Sequence, residues 1–359
     1  MKLFYYTTAE TMHYIVTGGN IFATNVGYMN DSDEYFNGLR ELKQLLEKAD
    51  EFVNTDFLGE NKDIDGVYHN ILAHTGDIYS ISFSKAPDLL SQWHMYARES
   101  GVQIELNFQK NKQYRYYDGR PSEVEKHEGE PWNKQLKKKD VYYLTQVGMP
   151  PKEYNKTGKK VLTEFAAQLK SRGWDSGDEI SNTWRNLAPY IKNYGFRQEL
   201  EVRAIFEKNQ DSYINYRNDR GVLKPYLDIH LQKGWPVYGI MVGPGRNQNQ
   251  VYKSICHFLE HADLVIDKQK NEMLIDEYFN GMKGYMLPEQ KIDQCKEAVL
   301  ELDETVMRFG ATYSQQIRDV LDSENFSDAE RKIVDQYEND NYFCDKGIIV
   351  KKSKLPYEF

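Results

Sequence analysis

The densest grouping of chemically capable side chains in this sequence is Gln198-Glu199-Leu200-Glu201-Val202-Arg203-Ala204-Ile205-Phe206. Strand alternation places Glu199, Glu201 and Arg203 on one face and Leu200, Val202 and Ala204 on the other. If the first face meets solvent, the segment is an edge strand with an intrastrand charge pair. If it meets a cleft, two carboxylates and a guanidinium converge on a small volume, as stabilising a cation or activating a nucleophile requires.

Two further segments carry polar groups at suggestive spacing. Ser82-Phe83-Ser84 ends an apolar run and is followed by Leu89-Leu90-Ser91-Gln92-Trp93-His94-Met95-Tyr96-Ala97. On a helix Gln92 and Tyr96 share a face, Trp93 belongs to the apolar stripe and reads as core, and His94 suits a surface as well as a catalytic site. Near the N-terminus, Tyr5-Tyr6-Thr7-Thr8, Gly18-Gly19 and Tyr28-Met29-Asn30-Asp31 read as a capped helix, a glycine stop and an Asn-Asp turn. Other patterns are incomplete. His257 and His261 are four apart, but Phe258 stands where a zinc helix of this type needs glutamate, and Gly243-Pro244-Gly245-Arg246 lacks the Gly-Lys-Ser/Thr of a phosphate loop. There is no Gly-x-Ser-x-Gly elbow.

The elements that must position these groups follow from periodicity. Short strands are expected at Leu3–Tyr6, Ile21–Thr24, Asp77–Phe83, Val102–Phe108, Glu199–Phe206, Val222–Leu231 and Val237–Val242, and helices at about 7–16, 33–52, 88–97, 159–170, 179–194 and 249–261. Their uneven spacing fits an α+β domain with a mixed or antiparallel sheet better than a doubly wound one. Past residue 271 the pattern is almost wholly helical, with Ile292, Cys295, Val299, Leu302 and Val306 on one face, so residues 1–270 are expected as the α+β domain and 271–359 as a helical module.

Composition narrows the class. The 359 residues include 48 aromatics, enough to close a sizeable core, and no run nears the roughly 20 apolar residues of a membrane span. Cys256, Cys295 and Cys344 are too scattered for a disulfide framework, so a cytoplasmic setting is expected. The net charge of −9 is uneven: residues 110–160 carry 13 basic and 7 acidic side chains, and residues 271–359 carry 11 and 19. The basic stretch reads as a solvated insertion, or as an aromatic-lined surface for phosphates or bases.

Taken in order, Tyr5-Tyr6-Thr7-Thr8, Met29-Asn30-Asp31-Ser32-x-Glu34, Ser82-Phe83-Ser84, Asp88-Leu89-Leu90-Ser91-Gln92-Trp93-x-x-Tyr96, Glu199-x-Glu201-x-Arg203, Pro225-Tyr226 and Val242-Gly243-Pro244 resemble the bacterial family called domain of unknown function 2971, over about residues 1–270. The order of strands and motifs is also similar to the NAD-binding core of the ADP-ribosyltransferase superfamily. That second resemblance implies NAD as substrate, a pocket lined by Tyr5, Tyr6 and Thr7, a buttress of Ser82 and Ser84, Glu201 as catalytic carboxylate and Glu199 placed to activate an acceptor. Tyr5 stands where the superfamily expects His or Arg, so His94 or Arg203 would supply the missing charge.

The function expected from these features is ADP-ribosyl transfer or NAD cleavage, with Asn30, Asp31, Gln92 and Tyr96 shaping the cleft and no metal. By resemblance, a toxin or phage-defence role goes with it. The basic stretch would approach a nucleic-acid or protein acceptor, and the acidic tail a protein partner. The alternatives are a non-catalytic module binding a nucleotide or phage component and, third, a metal-dependent nuclease using Asp31, Glu199 and Glu201 on Mg²⁺.

Overall fold

The computed structural model describes residues 1–29, 33–53, 63–73, 77–97, 101–120, 132, 134–172, 177–219, 221–267, 271–306, 313–344 and 346–355. In chain order its strands are β1 (Lys2–Thr8), β2 (Asn20–Asn25), β3 (Ile78–Ser84), β4 (Gly101–Asn107), β5 (Arg115–Tyr117), β6 (Lys134–Gln135), β7 (Lys138–Asp140), β8 (Tyr142–Tyr143), β9 (Ile191–Lys192), β10 (Glu201–Glu207), β11 (Ile214–Asp219), β12 (Val222–Leu231), β13 (Val237–Val242), β14 (Asn341–Cys344) and β15 (Ile348–Lys352). Mostly antiparallel strand pairing combined with helices makes the protein α+β, as its strand spacing predicts. Among the described residues no helix is long and apolar enough to cross a membrane.

The chain folds into two compact units, neither of them continuous in sequence. Unit 1 comprises residues 1–20, 86–112 and 233–359. Its strand order is β14-β15-β13-β4-β1, antiparallel except for the parallel pair β13 and β15. β1 runs along all of β4, from Lys2 opposite Asn107 to Thr8 opposite Gly101. The helix Ala9–Gly18 follows, capped by Thr8, whose hydroxyl accepts from the Thr11 N–H, so it begins later than the helix expected over about 7–16. Gly19 ends the helix at φ +69°, a left-handed conformation that favours glycine.

The tail corrects two expectations. Residues 271–359 do contain helices, Asn271–Lys283, Glu289–Val306, Tyr313–Ser323 and Asp328–Asp340, the last opened by a capping box between Ser327 and Glu330. They do not stand apart as a helical module, because the same stretch ends in β14 and β15 and packs its helix residues Leu274, Phe279, Ile292, Cys295 and Val334 against Phe343, Ile349 and the β13 residue Tyr238. The β-branched run Ile348-Ile349-Val350 after Gly347, at φ +78°, is the sequence signal for that return.

Unit 2 comprises residues 21–85 and 113–232. β3 and β10 are antiparallel over their full length, from Glu201 opposite Ser84 to Glu207 opposite Ile78, and β10 pairs β7 on its other side. β10 is therefore an interior strand, which excludes the edge-strand reading. β2 pairs β3, β12 pairs β11 and β5, and β8 and β9 form a separate two-stranded parallel pair. The helix Glu34–Glu47 buries Leu39, Leu42, Leu45 and Leu46 against Val161, Leu162 and Phe165 of the helix Pro151–Arg172 and against Trp184 and Leu187 of the helix Gly177–Leu187.

The basic stretch expected as an insertion is built into this unit. It forms β5 to β8 because Tyr114, Tyr116, Leu136, Val141 and Leu144 are buried; residues 121–131 and 133 lie outside the described residues.

Candidate functional site

Three segments of unit 2 bring charged side chains into one buried cluster. Glu34 sits in the first turn of the helix Glu34–Glu47, where the helix dipole favours a carboxylate. Lys192 ends β9. A 3₁₀ turn, Tyr194–Glu199, then folds back over it, opened by Asn193, whose side-chain oxygen accepts from the Gly195 N–H at 2.8 Å. Leu200 follows at φ +46° and only then does β10 begin at Glu201. Glu199 therefore does not share a strand face with Glu201 and Arg203, as alternation predicts. It reaches the same place from a separate turn.

The resulting contacts are close. Lys192 Nζ donates to Glu199 Oε2 at 2.7 Å and Glu201 Oε2 at 2.9 Å, and pairs with Glu34 Oε2 at 3.2 Å. Arg203 donates from Nε to Glu201 Oε1 at 2.6 Å, from Nη2 to Glu201 Oε2 at 3.0 Å and to Glu34, and from Nη1 to the Pro189 carbonyl. The backbone around the cluster is equally tied: the Glu201 N–H donates to Tyr143 Oη at 2.6 Å, and Ser84 Oγ donates to the Glu199 carbonyl at 2.7 Å. Exposure is 7% at Glu201, 4% at Lys192 and 1% at Arg203.

Electrostatics give the cluster its character. Three carboxylates face two cations, a formal −1 in a site nearly cut off from water. Burial pushes the Glu201 carboxyl above its ordinary range, opposed chiefly by the Lys192 charge, and burial pulls the Arg203 guanidinium down to about 9. The Glu201 carboxyl thus holds a proton more readily than in water, and the Arg203 guanidinium less readily.

Beside the cluster lies a cleft of about 250 Å³, whose wall includes Lys192, Asn193, Thr145 and, from the helix Glu34–Glu47, Asn37, Arg40, Glu41 and Gln44. Gly38 lets that helix approach, since a Cβ there would lie 2.4 Å from the Ala188 carbonyl. The Glu41 carboxyl accepts from the Gln146 N–H and the Thr145 hydroxyl, and burial raises its pKa. Its Oε2 and Gln44 Oε1 are buried without a hydrogen-bond partner, a condition that costs about 1–3 kcal/mol for each such atom.

The remaining predicted residues are placed as follows. Ser82 lies on β3 opposite Arg203. In unit 1, Tyr5, Tyr6 and Thr7 lie on β1; the Tyr6 hydroxyl donates to the Ala86 carbonyl at 3.2 Å, accepts from the Leu89 N–H at 2.8 Å, and its ring meets Trp93 edge-on at 4.9 Å. Trp93 is core, as its position in the apolar stripe predicts. The helix expected over 88–97 is a single turn, Leu90–Gln92, followed by a π-helical turn, Trp93–Ala97, so Gln92 and Tyr96 are not α-helical neighbours. Gln92 is buried, Tyr96 packs on the Tyr6 and Trp93 cluster, and His94 is exposed. Asn30 and Asp31 lie outside the described residues.

Sequence reasoning missed Lys192 and the part played by Glu34. The helix expected over 179–194 hid Lys192; it ends at Leu187 because Pro189 cannot continue it, and that proline was the available signal. The basic stretch is also less free than its count implies. Lys134 pairs with Asp118 at 2.6 Å, Lys139 pairs with Glu164, and Lys138 lies over the Tyr114 ring with burial pulling its pKa down to about 8.

No family model matches the chain, and no solved structure does. Part of the chain is similar to the uncharacterized FAD-linked oxidoreductase YgaK of Bacillus subtilis (strain 168), 24% identical over 156 residues, covering 36% of this chain and 33% of that protein. The chain thus spans about a third of the length of the curated relative it matches.

Proposed function

We propose that the protein is an ADP-ribosyltransferase-like enzyme that breaks the N-glycosidic bond of an NAD-type nucleotide. The observation that supports this reading is the register of β3 and β10, which sets Glu201 opposite Ser84 and gathers Glu199, Glu201 and Arg203 around Lys192. In the reaction the bonding electron pair leaves with nicotinamide and an oxocarbenium-like ribosyl centre develops. The Glu201 carboxylate stabilises that charge, held in one orientation by Lys192 and Arg203. Water or another acceptor forms the new bond to the anomeric carbon and gives its proton to Glu199. A toxin or phage-defence role rests on the family resemblance alone.

The test is release of nicotinamide from NAD by the purified full chain, followed by chromatography. Glu201→Gln should lower the rate by about 10²-fold or more. If neither protein releases nicotinamide, or both do so equally, the catalytic reading fails.

A second reading, a nucleotide-binding module without turnover, is favoured by one specific feature. Both oxygens of Glu201 are already bonded by Lys192 and Arg203, and the Tyr6 hydroxyl is committed to Ala86 and Leu89. It predicts a thermal shift with nucleotide and no product.

A further inference from the structure

We propose that the outer side of the helix Pro151–Arg172 is a track for the phosphate backbone of a double-stranded nucleic acid, gripped without regard to base sequence. The inference goes beyond the glycosidic reading and does not depend on it. At 3.6 residues per turn, Lys152, Lys156, Lys159 and Lys160 fall within an arc of about 100°, and Lys170 continues the same row to a length of about 27 Å. All five side chains are exposed. Among the described residues none of their ammonium groups has an ion pair, a hydrogen bond or a ring contact, whereas Lys134, Lys139 and Lys192 of the same unit are each paired.

The helix keeps this row clear of negative charge. Thr163 and Ala167 are the other residues in the arc, and the Thr163 hydroxyl donates back to the Lys159 carbonyl at 2.7 Å. The two acidic residues of the helix lie outside the arc and are already engaged: Glu153 accepts from the Tyr194 hydroxyl at 2.6 Å, and Glu164 accepts from Lys139 and from the Tyr142 hydroxyl at 2.6 Å. The opposite side is fixed, since Val161, Leu162, Phe165 and Leu169 are buried in the core of the unit and a Cβ at Gly158 would lie 2.9 Å from Leu45.

Chemistry selects the partner. A membrane-surface helix dips an apolar face into the lipid, and here that face is spent on the core. Protein interfaces have an apolar centre and are depleted in lysine. A duplex requires neither, because it offers one phosphate charge per ~1.7 Å of its axis to point charges such as lysine. No arginine, asparagine or glutamine lies in the arc to read a base edge, and no aromatic ring lies there to stack an unpaired base.

The experiment measures the fluorescence anisotropy of labelled DNA duplexes of about 20 base pairs, titrated with the full chain at low salt. Two duplexes of unrelated sequence should bind within about 3-fold of each other, and Lys156→Glu with Lys160→Glu should weaken both to the same degree, by about 10-fold or more. The control with the same change in net charge is Lys253→Glu with Lys332→Glu, exposed lysines on other helices, which should shift binding by less than about 2-fold. Circular dichroism identifies a variant that fails to fold, and Lys156→Gln with Lys160→Gln then makes the same comparison with a smaller charge change. Equal losses in the two charge-reversed pairs, a preference of more than about 10-fold for one sequence, or no binding of either duplex at ~10⁻⁴ M overturns the inference. So does tighter binding of the matching single strand, of phosphatidylserine vesicles or of polyglutamate than of the duplex. Nicotinamide release without duplex binding removes this inference and leaves the catalytic reading. Duplex binding without nicotinamide release does the reverse.

Discussion

Lys192→Met removes the ammonium that three carboxylates share. The formal charge of the cluster moves from −1 to −2, with Arg203 left as the single cation against Glu34, Glu199 and Glu201. One ammonium–carboxylate pair at about 3 Å with an effective dielectric near 20 is worth about 5 kcal/mol. Desolvation offsets much of that, and breaking a buried pair by removing one partner costs about 3–5 kcal/mol. The cost should depend on pH, with a sign fixed by Glu201. Its folded pKa is raised, and more so in the variant, so between the ordinary carboxylate range and that raised value the folded state binds more protons than the unfolded chain. Stability therefore falls as pH rises through this window, and the variant should be nearer to wild type at pH 5 than at pH 8. Urea unfolding followed by circular dichroism at both values measures the difference, and amide exchange along β10 locates it. Lys192→Met combined with Glu199→Gln returns the formal charge to −1 and should recover at least half of the loss. A cost below about 1 kcal/mol at pH 8, or one equal at the two pH values, would refute the reasoning.

Two shorter predictions concern the backbone and the surface. Leu200 holds φ +46° and is 49% exposed, so Leu200→Gly should relieve backbone strain while losing little burial, raising stability by up to about 1 kcal/mol in urea; a destabilised variant would show that the Leu200 side chain matters more than its conformation. Lys152, Lys156, Lys159 and Lys160 are exposed along one side of the helix Pro151–Arg172, so a nucleic-acid acceptor meeting all four should show a log–log salt slope near about −3.6, abolished by Lys→Glu changes at these positions; a slope unaffected by those changes rules the helix out.

What the sequence made legible follows from how local each signal is. β12 and β13 have the bounds expected from their sequence patterns, and Gly19 stops its helix because only glycine takes that φ without strain. The convergence of Glu201 and Arg203 was readable for the same reason, since two residues on one strand share a face whatever surrounds them. Glu199 was not readable. Its departure from β10 depends on a left-handed leucine, a residue type that carries no such preference, and the bend is held from outside by Ser84 and by Lys85, whose N–H donates to the Leu200 carbonyl at 3.0 Å. Lys192 and Glu34 reach the cluster through tertiary packing of elements far apart in the chain, and nothing in the spacing of either residue records that meeting. The two units are likewise interleaved along the chain, whereas the helical periodicity past residue 271 suggests one boundary near residue 270.

Charge was the least transferable signal, and the reason bears on function. The total of −9 and the +6 of residues 110–160 count side chains that the fold then spends on each other, as with Lys134 on Asp118 and Lys139 on Glu164. The quantity that matters is the formal −1 left in a volume that excludes water, where, among the described residues, the ion pairs of the three carboxylates bring two cations, Lys192 and Arg203. Such a site favours a proton or a positively charged ligand group. On the proposed reading, the nicotinamide ring of oxidised NAD is a cation and the ribosyl centre left by its departure would be another, so a fixed −1 would complement both. Glu201→Gln brings the cluster to zero and so does Glu199→Gln. If charge balance alone drives the reaction, the two variants should lose nicotinamide release equally. If the position of the carboxylate decides, Glu201→Gln should lose far more.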